Sequence, residues 1–384
     1  MPEPPPLGDG DGDLAELQPT ELTRTFPCQS CGDQLRFDPA SQGLRCPSCG
    51  NRTAITADQN RTITEHDLAT TMDALRAAMA SAAGPQVSGK EIVCQNCGGH
   101  TTFTGTLTAT RCPYCATPIQ RNDVQDAPTR LPVDGVLPLQ VDERRAHEAL
   151  ERWVNGRRFA PTEFKKYKTA GSFTSVYAAY FAYDAETSTQ YRGQRGEYYT
   201  VTVGSGDDEH TETRTRWYSA SGVVDNAFDD IVVLANDGFD ARKVTALEPW
   251  PTAQAVPYRG EYVAGHLCRT YDHDAEAAFP VAQERIDGEI DTTIRRDIGG
   301  DVQRVEAKQT AYNALTFVHL LLPMWLLTVI FQGKPFQVFI NGITGEVQGQ
   351  RPWSAVKIAA AVFVTVVLLI LAFVIYTSVT RKGG

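Results

Sequence analysis

The sequence predicts an α+β protein with two small four-cysteine zinc ribbons, a mixed α+β domain and one C-terminal transmembrane helix. Three observations support this: four Cys-x-x-Cys pairs, a middle region that mixes strand-like and helical patterns, and an apolar stretch near the C-terminus. The chain has 384 residues, of which 42% are hydrophobic, so its apolar mass is enough for a sizeable core. Its net charge of −10 means that a nucleic-acid site would need a local basic patch.

The cysteines form two sets of four that repeat at an offset of 66 residues, which indicates an internal duplication. Two residues between paired cysteines allow both sulfurs to point at one ion, and two such pairs complete the tetrahedron that zinc prefers. We therefore predict two structural Zn²⁺ ions per chain, in ribbons at 24–56 and 90–121. Phe37 and Phe103 are expected to form the small core of each ribbon. The predicted metal ligands are Cys28, Cys31, Cys46, Cys49, Cys94, Cys97, Cys112 and Cys115.

Disulfides and redox dithiols are the alternatives to zinc. Disulfides would require an oxidising compartment, but residues 1–20, which we expect to be a disordered acidic head, contain no apolar signal sequence. A thioredoxin-like dithiol would be expected in a βαβ context, not in a duplicated array. Because four thiolates leave no open position on the ion, the predicted zinc is structural and not catalytic.

Charge favours protein partners over nucleic acid for the ribbons. Each ribbon carries two more basic than acidic side chains, and four thiolates on one Zn²⁺ leave a negative charge of the same size. The phosphate-driven attraction that dominates nucleic-acid binding is therefore missing. Neither nucleic acid nor a nucleotide is an expected ligand.

One segment fits the nucleotide-binding pattern G-x4-G-K, at 84–90. Glu91 follows it in place of the Ser or Thr that would hold magnesium. The segment also lies between a predicted helical spacer at 62–84 and a ribbon strand, whereas a P-loop joins a strand to a helix. We interpret it as a hinge.

The C-terminal apolar stretch, Ile358 to Tyr376, has no charge, proline or glycine. As a helix it would be about 28 Å long, close to the thickness of a bilayer's hydrocarbon core. We predict a transmembrane helix at 356–377 and a lipid bilayer as partner. The expected location is the cell membrane, with a single pass, and the reduced thiols place most of the chain in the cytoplasm.

A second apolar run, Leu315 to Phe331, is either a membrane helix or a strand. A further β-rich run and an Asn341-Gly342 turn follow it, which favours a β-hairpin. Elsewhere in the α+β domain at 137–351, helices are expected at Asp142 to Asn155 and from Pro280 to Ile298. Four strand-like runs precede the second helix, at Phe173–Ala185, Tyr198–Val203, Thr213–Ser219 and Ile231–Leu234.

Several further motifs carry a family resemblance. They are the aromatic strand with Tyr177, Tyr180, Phe181, Tyr183 and Asp184, then Trp217 ahead of Ser221-Gly222, then Leu322-Pro323-Met324-Trp325, and finally Asn341-Gly342-Ile343-Thr344-Gly345. With the ribbons and the apolar end, they resemble the bacterial TFIIB-type or rubredoxin-like double zinc-ribbon membrane proteins. These are associated with phage-shock and flotillin-like envelope-stress systems and are often labelled as relatives of the primosomal helicase. The resemblance implies a membrane-bound platform that places soluble stress proteins at the envelope.

The sequence thus predicts a non-enzymatic, membrane-anchored adaptor that recruits soluble proteins to the cytoplasmic face of the membrane. The alternative is a membrane-tethered nucleic-acid-binding or transcription-related zinc-ribbon protein. A third hypothesis is a hydrolase centred on His266 and Cys268, which would share one face of a strand.

Overall fold

The structure is a computed structural model. It describes residues 26–33, 35–56, 62–81, 90–93, 100–103, 109–111, 118–120, 124–126, 131–156, 172–204, 206, 209–269, 271–331, 334–349, 359 and 362–373. In chain order its strands and helices are β1 (Arg36–Asp38), β2 (Gly43–Arg45), β3 (Arg52–Thr53), β4 (His66–Asp67), α1 (Leu68–Ser81), β5 (Lys90–Val93), β6 (His100–Phe103), β7 (Ala109–Arg111), β8 (Pro118–Gln120), β9 (Val124–Asp126), β10 (Gly135–Val136), α2 (Glu143–Asn155), β11 (Ser172–Val203), β12 (His210–Leu234), α3 (Ala241–Thr245), β13 (Val256–Pro257), β14 (Leu267–Cys268), α4 (Ala275–Ile298), β15 (Val302–Phe331), β16 (Lys334–Asn341) and β17 (Val347–Gly349).

A nine-stranded, largely antiparallel sheet dominates the described chain, so the expected α+β class is wrong. The sheet runs β12-β11-β15-β10-β13, and the four short strands β4, β14, β16 and β17 join it off this path. Its frame is formed by three long strands, β11 with 32 residues, β12 with 25 and β15 with 30. The four predicted runs are parts of β11 and β12.

These strands are longer than predicted because small polar residues continue the buried face. Between Ala185 and Tyr191 every second residue of β11 is buried, and the two in between are Thr187 and Thr189. A period of two is the signature of a strand with one covered face. Threonine is polar, so the alternation of apolar and polar residues stops in the sequence although the strand continues.

The first part of β11, residues 176–183, is buried on both faces. Its residues alternate between two hydrophobic clusters on opposite sides of the sheet, which explains why the run reads as continuously apolar. One face contributes Tyr177, Ala179, Phe181 and Tyr183, and the other contributes Val176, Ala178, Tyr180 and Ala182.

Helix α4 covers one face of the sheet where β11 and β12 continue. Ile286, Ile290 and Ile294 recur every fourth residue and are completely buried against Tyr191 and Val224. Val281, near the start of the helix, is 48% exposed and does not belong to this buried stripe. The helix also begins before Pro280, because Asp274 caps its N-terminus by accepting a hydrogen bond from the Ala277 amide.

Two local predictions are confirmed. Helix α2 occupies the expected range, and the Asp142 carboxylate caps it by accepting from the Arg145 amide. The segment from Leu315 to Phe331 is a strand, the second half of β15, and it forms an antiparallel hairpin with β16.

The Pro-Trp and Asn-Gly motifs lie together in the sheet. Asn341 is fully buried, accepts hydrogen bonds from the Ile343 and Thr344 amides, and donates to the Leu247 carbonyl. A Cβ added at Gly342 would lie 2.6 Å from the Pro323 carbonyl oxygen, so this close approach requires glycine. Both motifs therefore have a structural role in holding a turn against β15.

The predicted transmembrane helix at 356–377 and the single-pass membrane location are wrong. Among the residues that the structure describes, none of the helices combines the length and apolarity needed to cross a bilayer. The helical residues described near the C-terminus are 359 and 362–373.

The packing of α4 gives a stability prediction. Ile290→Ala should lower the free energy of unfolding by about 2–5 kcal/mol, because it leaves a cavity in the cluster under the helix. Val281→Ala in the same helix should cost less than about 1 kcal/mol because Val281 is half exposed. Urea denaturation of the full-length variants measures both values. Equal losses would contradict this packing.

Candidate metal centre

The first ribbon contains two tight turns, each of which carries a cysteine pair. The Gly32 amide donates to the Cys28 carbonyl at 2.8 Å, and the Gly50 amide donates to the Cys46 carbonyl at 3.0 Å. Both glycines have positive φ, +78° and +75°, a conformation that L side chains rarely adopt. The glycines after the second cysteines thus close the turns and direct the sulfurs inward.

The four cysteines of this ribbon form one compact group that could hold a metal ion. Their Sγ atoms all lie within 4.8 Å of one another. Cys28 and Cys49 are 3.6 Å apart, and Cys31 and Cys46 are 3.5 Å apart, measured between Sγ atoms. A tetrahedral ion with Zn–S bonds of about 2.3 Å requires sulfurs about 3.8 Å apart. The donor set therefore fits a tetrahedral thiolate-bound ion.

Backbone amides favour negative charge on two of these sulfurs. Hydrogen bonding from the Ser30 amide, followed by smaller contributions, lowers the pKa of Cys28 to about 6. The Asn51 side-chain amide also donates to Cys28 Sγ, at 3.8 Å. The Cys49 amide is the main cause that lowers the pKa of Cys46.

The other two cysteines titrate in the opposite direction. The Asp33 amide lowers the pKa of Cys31, but the neighbouring sulfurs outweigh it and raise that pKa to about 12. For Cys49 the Asn51 amide likewise lowers the pKa, and the net shift is upward. Crowded thiolates repel one another, and a bound cation would remove this repulsion.

The second predicted set, Cys94, Cys97, Cys112 and Cys115, lies outside the described residues. The backbone around it nevertheless repeats the first ribbon. Leu44 pairs with Thr53 in β2–β3, and Thr110 pairs with Ile119 in β7–β8, so the same register recurs 66 residues later. The backbone thus supports the duplication, while two zinc ions per chain stays a prediction.

The first ribbon is attached to the sheet domain through strand β1. The Phe37 amide donates to the Ala264 carbonyl at 2.9 Å, and the Phe37 carbonyl oxygen lies 3.3 Å from His266 Nε2. Farther along the ribbon, Arg259 donates to the Thr56 carbonyl, and the side-chain amide of Gln42 donates to the Leu139 carbonyl at 3.0 Å.

The sequence predicted Phe37 as part of the ribbon's own core. In the structure Phe37 also packs outward against the sheet domain. Its side chain is 3% exposed and contacts the rings of Tyr262 and His266, with centroids 5.7 Å and 6.3 Å away. The Tyr177 ring lies on His266 as well, at 5.9 Å. The buried residues of the ribbon, Cys28 and Cys46 included, therefore belong to the same hydrophobic cluster as one face of the sheet.

His266 connects the ribbon to strand β11. Its Nδ1 lies 2.6 Å from the Ser175 hydroxyl, and its Nε2 faces the Phe37 carbonyl oxygen. A carbonyl only accepts, so Nε2 carries the proton, and Nδ1 accepts from Ser175. Cys268, the other member of the hypothesised catalytic pair, lies in β14 and pairs with Tyr177 through the backbone.

A second group of potential ligands, Asp184, Asp229 and Asp230, was not predicted from the sequence. It forms at an irregularity between β11 and β12, where the register shifts between Tyr183 and Ala185. Burial raises the pKa of Asp184; a hydrogen bond from the Asp230 amide opposes this shift, and neighbouring carboxylates add to it. Asp229 and Asp230 are exposed. No sequence signal marked this group, because the shift brings together residues 45 positions apart.

Comparison with known proteins does not assign the chain to a family. No family model matches it, and no solved structure matches it. It is similar to YdjG, an uncharacterized protein of Bacillus subtilis (strain 168), with 24% identity over 226 residues. The match covers 59% of this chain and 65% of YdjG, so the chain spans just under two thirds of that relative's length.

The partly buried imidazole of His266 predicts a pH dependence of stability. Burial, opposed by the Phe37 carbonyl and reinforced by the Arg36 charge, lowers the pKa of His266 from 6.5 to about 4. Between these values only the unfolded chain binds the proton, so folding becomes less favourable as the pH falls. From pH 7 to pH 5 this histidine should cost about 2 kcal/mol of stability.

Urea unfolding at pH 7 and pH 5 tests this value. His266→Gln should remove about 2 kcal/mol of the difference in unfolding free energy between the two pH values, since glutamine does not titrate. His147→Gln, at an exposed position of α2, serves as the control and should keep the wild-type difference. The same pH dependence in wild type and His266→Gln would contradict the buried neutral imidazole.

Proposed function

We propose that this protein is a zinc-ribbon scaffold that binds other proteins, with metal ions that serve structure and not catalysis. The observation that carries the proposal is the four-sulfur group, in which the Sγ separations of 3.5 Å and 3.6 Å suit a closed tetrahedral site. Four thiolates fill the coordination shell of zinc, which leaves no position for a substrate or an attacking water.

The identity of the ion follows from the donor type. Thiolates are soft ligands, and a tetrahedral set of four selects zinc or an iron–sulfur centre over calcium or magnesium. Amide hydrogen bonds to the sulfurs of Cys28 and Cys46 disperse the negative charge of such a site. We propose Zn²⁺ at this group and, by the duplication, a second Zn²⁺ at Cys94, Cys97, Cys112 and Cys115.

Protein partners are favoured by charge and by surface chemistry. The near-neutral ribbons lack the basic surface that attracts phosphates. On the sheet domain, β11 and β12 pair as far as Val203 and His210, whereas the pairing of β11 with β15 ends at Gly196. This two-stranded projection exposes Tyr198 and Tyr199, a residue type that is enriched in protein interfaces.

The family resemblance suggests which partners to test first. The motifs shared with the zinc-ribbon proteins of envelope-stress systems point to phage-shock and flotillin-like proteins. We propose these as candidate partners, and the experiments below do not depend on their identity.

Metal analysis tests the first half of the proposal. The purified full-length chain should contain two zinc ions, and Cys46→Ser should reduce the content to one, because it removes a buried ligand of the first group. Ser48→Ala, in the same turn, should leave two ions. Elemental analysis under reducing conditions measures the content. A wild-type chain without zinc, or with iron in its place, would contradict the proposal.

Partner capture tests the second half. Full-length chain immobilised at physiological salt should retain a stoichiometric protein, and Cys46→Ser together with Cys112→Ser should reduce the retained amount at least tenfold, because both ribbons lose their ions. Ser48→Ala should retain as much as wild type. The same chain is incubated with labelled DNA and RNA in a gel-shift assay. Nucleic acid that stays bound at high salt, with no retained protein, would favour the transcription-related alternative.

A further inference from the structure

The apolar core of the first ribbon is too small to hold its contact with the sheet domain by itself. Among the described ribbon residues, the buried hydrophobic side chains apart from the ligands Cys28 and Cys46 are Leu35, Phe37 and Leu44. So small an apolar area cannot order the ribbon alone, and structural zinc typically supplies the missing folding free energy. The position of Phe37 therefore depends on the ion.

The sheet domain presents a preformed seat for Phe37. Tyr177 holds this seat in place, since its buried hydroxyl accepts from the Leu139 amide at 3.0 Å and donates to the Tyr262 carbonyl at 3.1 Å. His266 is fixed by Ser175 on the side away from the ribbon. These contacts lie within the domain and do not involve the cysteines.

The ribbon covers the reactive side of His266. The domain partner Ser175 occupies Nδ1, whereas the atom that faces Nε2 is the Phe37 carbonyl oxygen, which belongs to the ribbon. Departure of the ribbon would therefore leave Nε2 without this partner and expose it to solvent, while the rest of the seat keeps its contacts.

We propose that the four-cysteine group is a metal-dependent latch: with the ion bound, the ribbon closes over the seat formed by Tyr177, Tyr262 and His266, and loss of the ion opens it. The inference rests on the metal-binding part of the proposed function and goes beyond it. It assigns the ion a second effect, the exposure of an aromatic surface on a different part of the chain. Two hydrogen bonds between ribbon and domain, from Arg259 to the Thr56 carbonyl and from Gln42 to the Leu139 carbonyl, resist opening.

Carbethoxylation of histidine by diethyl pyrocarbonate reports the state of the latch, because the reagent modifies accessible neutral imidazole. In the full-length, zinc-loaded chain at pH 7, His266 should react at least tenfold more slowly than His273, whose side chain is half exposed. Removal of zinc by a chelator in the presence of a phosphine reductant should raise the His266 rate at least tenfold. The His273 rate should stay the same. Peptide mass spectrometry resolves the two sites.

A variant pair tests the same opening with the ion in place. Arg259→Ala combined with Gln42→Ala removes two hydrogen bonds between ribbon and domain, and should raise the His266 rate about tenfold without loss of zinc. The control Arg144→Ala removes an exposed pair within α2 and should leave the rate unchanged. Circular dichroism of every sample should show that the sheet persists.

The outcomes separate this inference from the proposed function. If the chain binds no metal at Cys28, Cys31, Cys46 and Cys49, both are overturned. If zinc leaves this group, as shown by alkylation of the four thiols, and His266 stays protected, the latch is overturned while the zinc site stands. Faster reaction of His266 and His273 together would show general unfolding and would also overturn the latch.

Discussion

Strand β11 determines the position of everything else in this protein, because residues 176–183 near its start have neither a free edge nor a free face. There the strand pairs with β15 on one side and with β14 and then β12 on the other, and its residues alternate between two hydrophobic clusters. A segment so enclosed cannot shift its register by one residue without exchanging both clusters. Side chains that project from it are therefore fixed reference points, and two side chains of β11, Ser175 and Tyr177, hold His266, on which the ribbon packs.

The placement of the ribbon changes how the metal site should be understood. Zinc ribbons are often small independent modules, in which the ion orders only its own turns. Here Phe37 leaves the ribbon to pack on Tyr262 and His266, so the free energy of metal binding is distributed over two parts of the chain. Metal binding and docking would then favour each other, because the free energy by which docking strengthens metal binding equals the free energy by which metal binding strengthens docking.

Local chemistry was predictable from the sequence, but the extent of the sheet was not. The cysteine spacing predicted the group that brings four sulfurs within 4.8 Å of one another, and the sequence from Asp142 to Asn155 predicted α2. The continuation of β11 was missed at Thr187 and Thr189. These residues keep the alternation of buried positions along the strand, but they are not hydrophobic, so the sequence pattern did not show it. The apolar residues at 358–376 predicted a bilayer span, but none of the helices in the described part of the chain has the length and apolarity to cross a membrane.

The contact between ribbon and domain shows why such sites are missed from sequence. Phe37 and His266 are 229 positions apart, and one of their two contacts uses a backbone carbonyl, which every residue possesses. The one local signal is Gly265, with φ at +76°, where an added Cβ would lie 2.5 Å from the Arg36 side chain. A glycine next to a histidine has many ordinary explanations, and it acquires this meaning only when the ribbon is seen against it. Residues that join two parts of a chain are recognised by what each part lacks alone. The ribbon has only a small core, and the atom that faces His266 Nε2 comes from the ribbon and not from the domain.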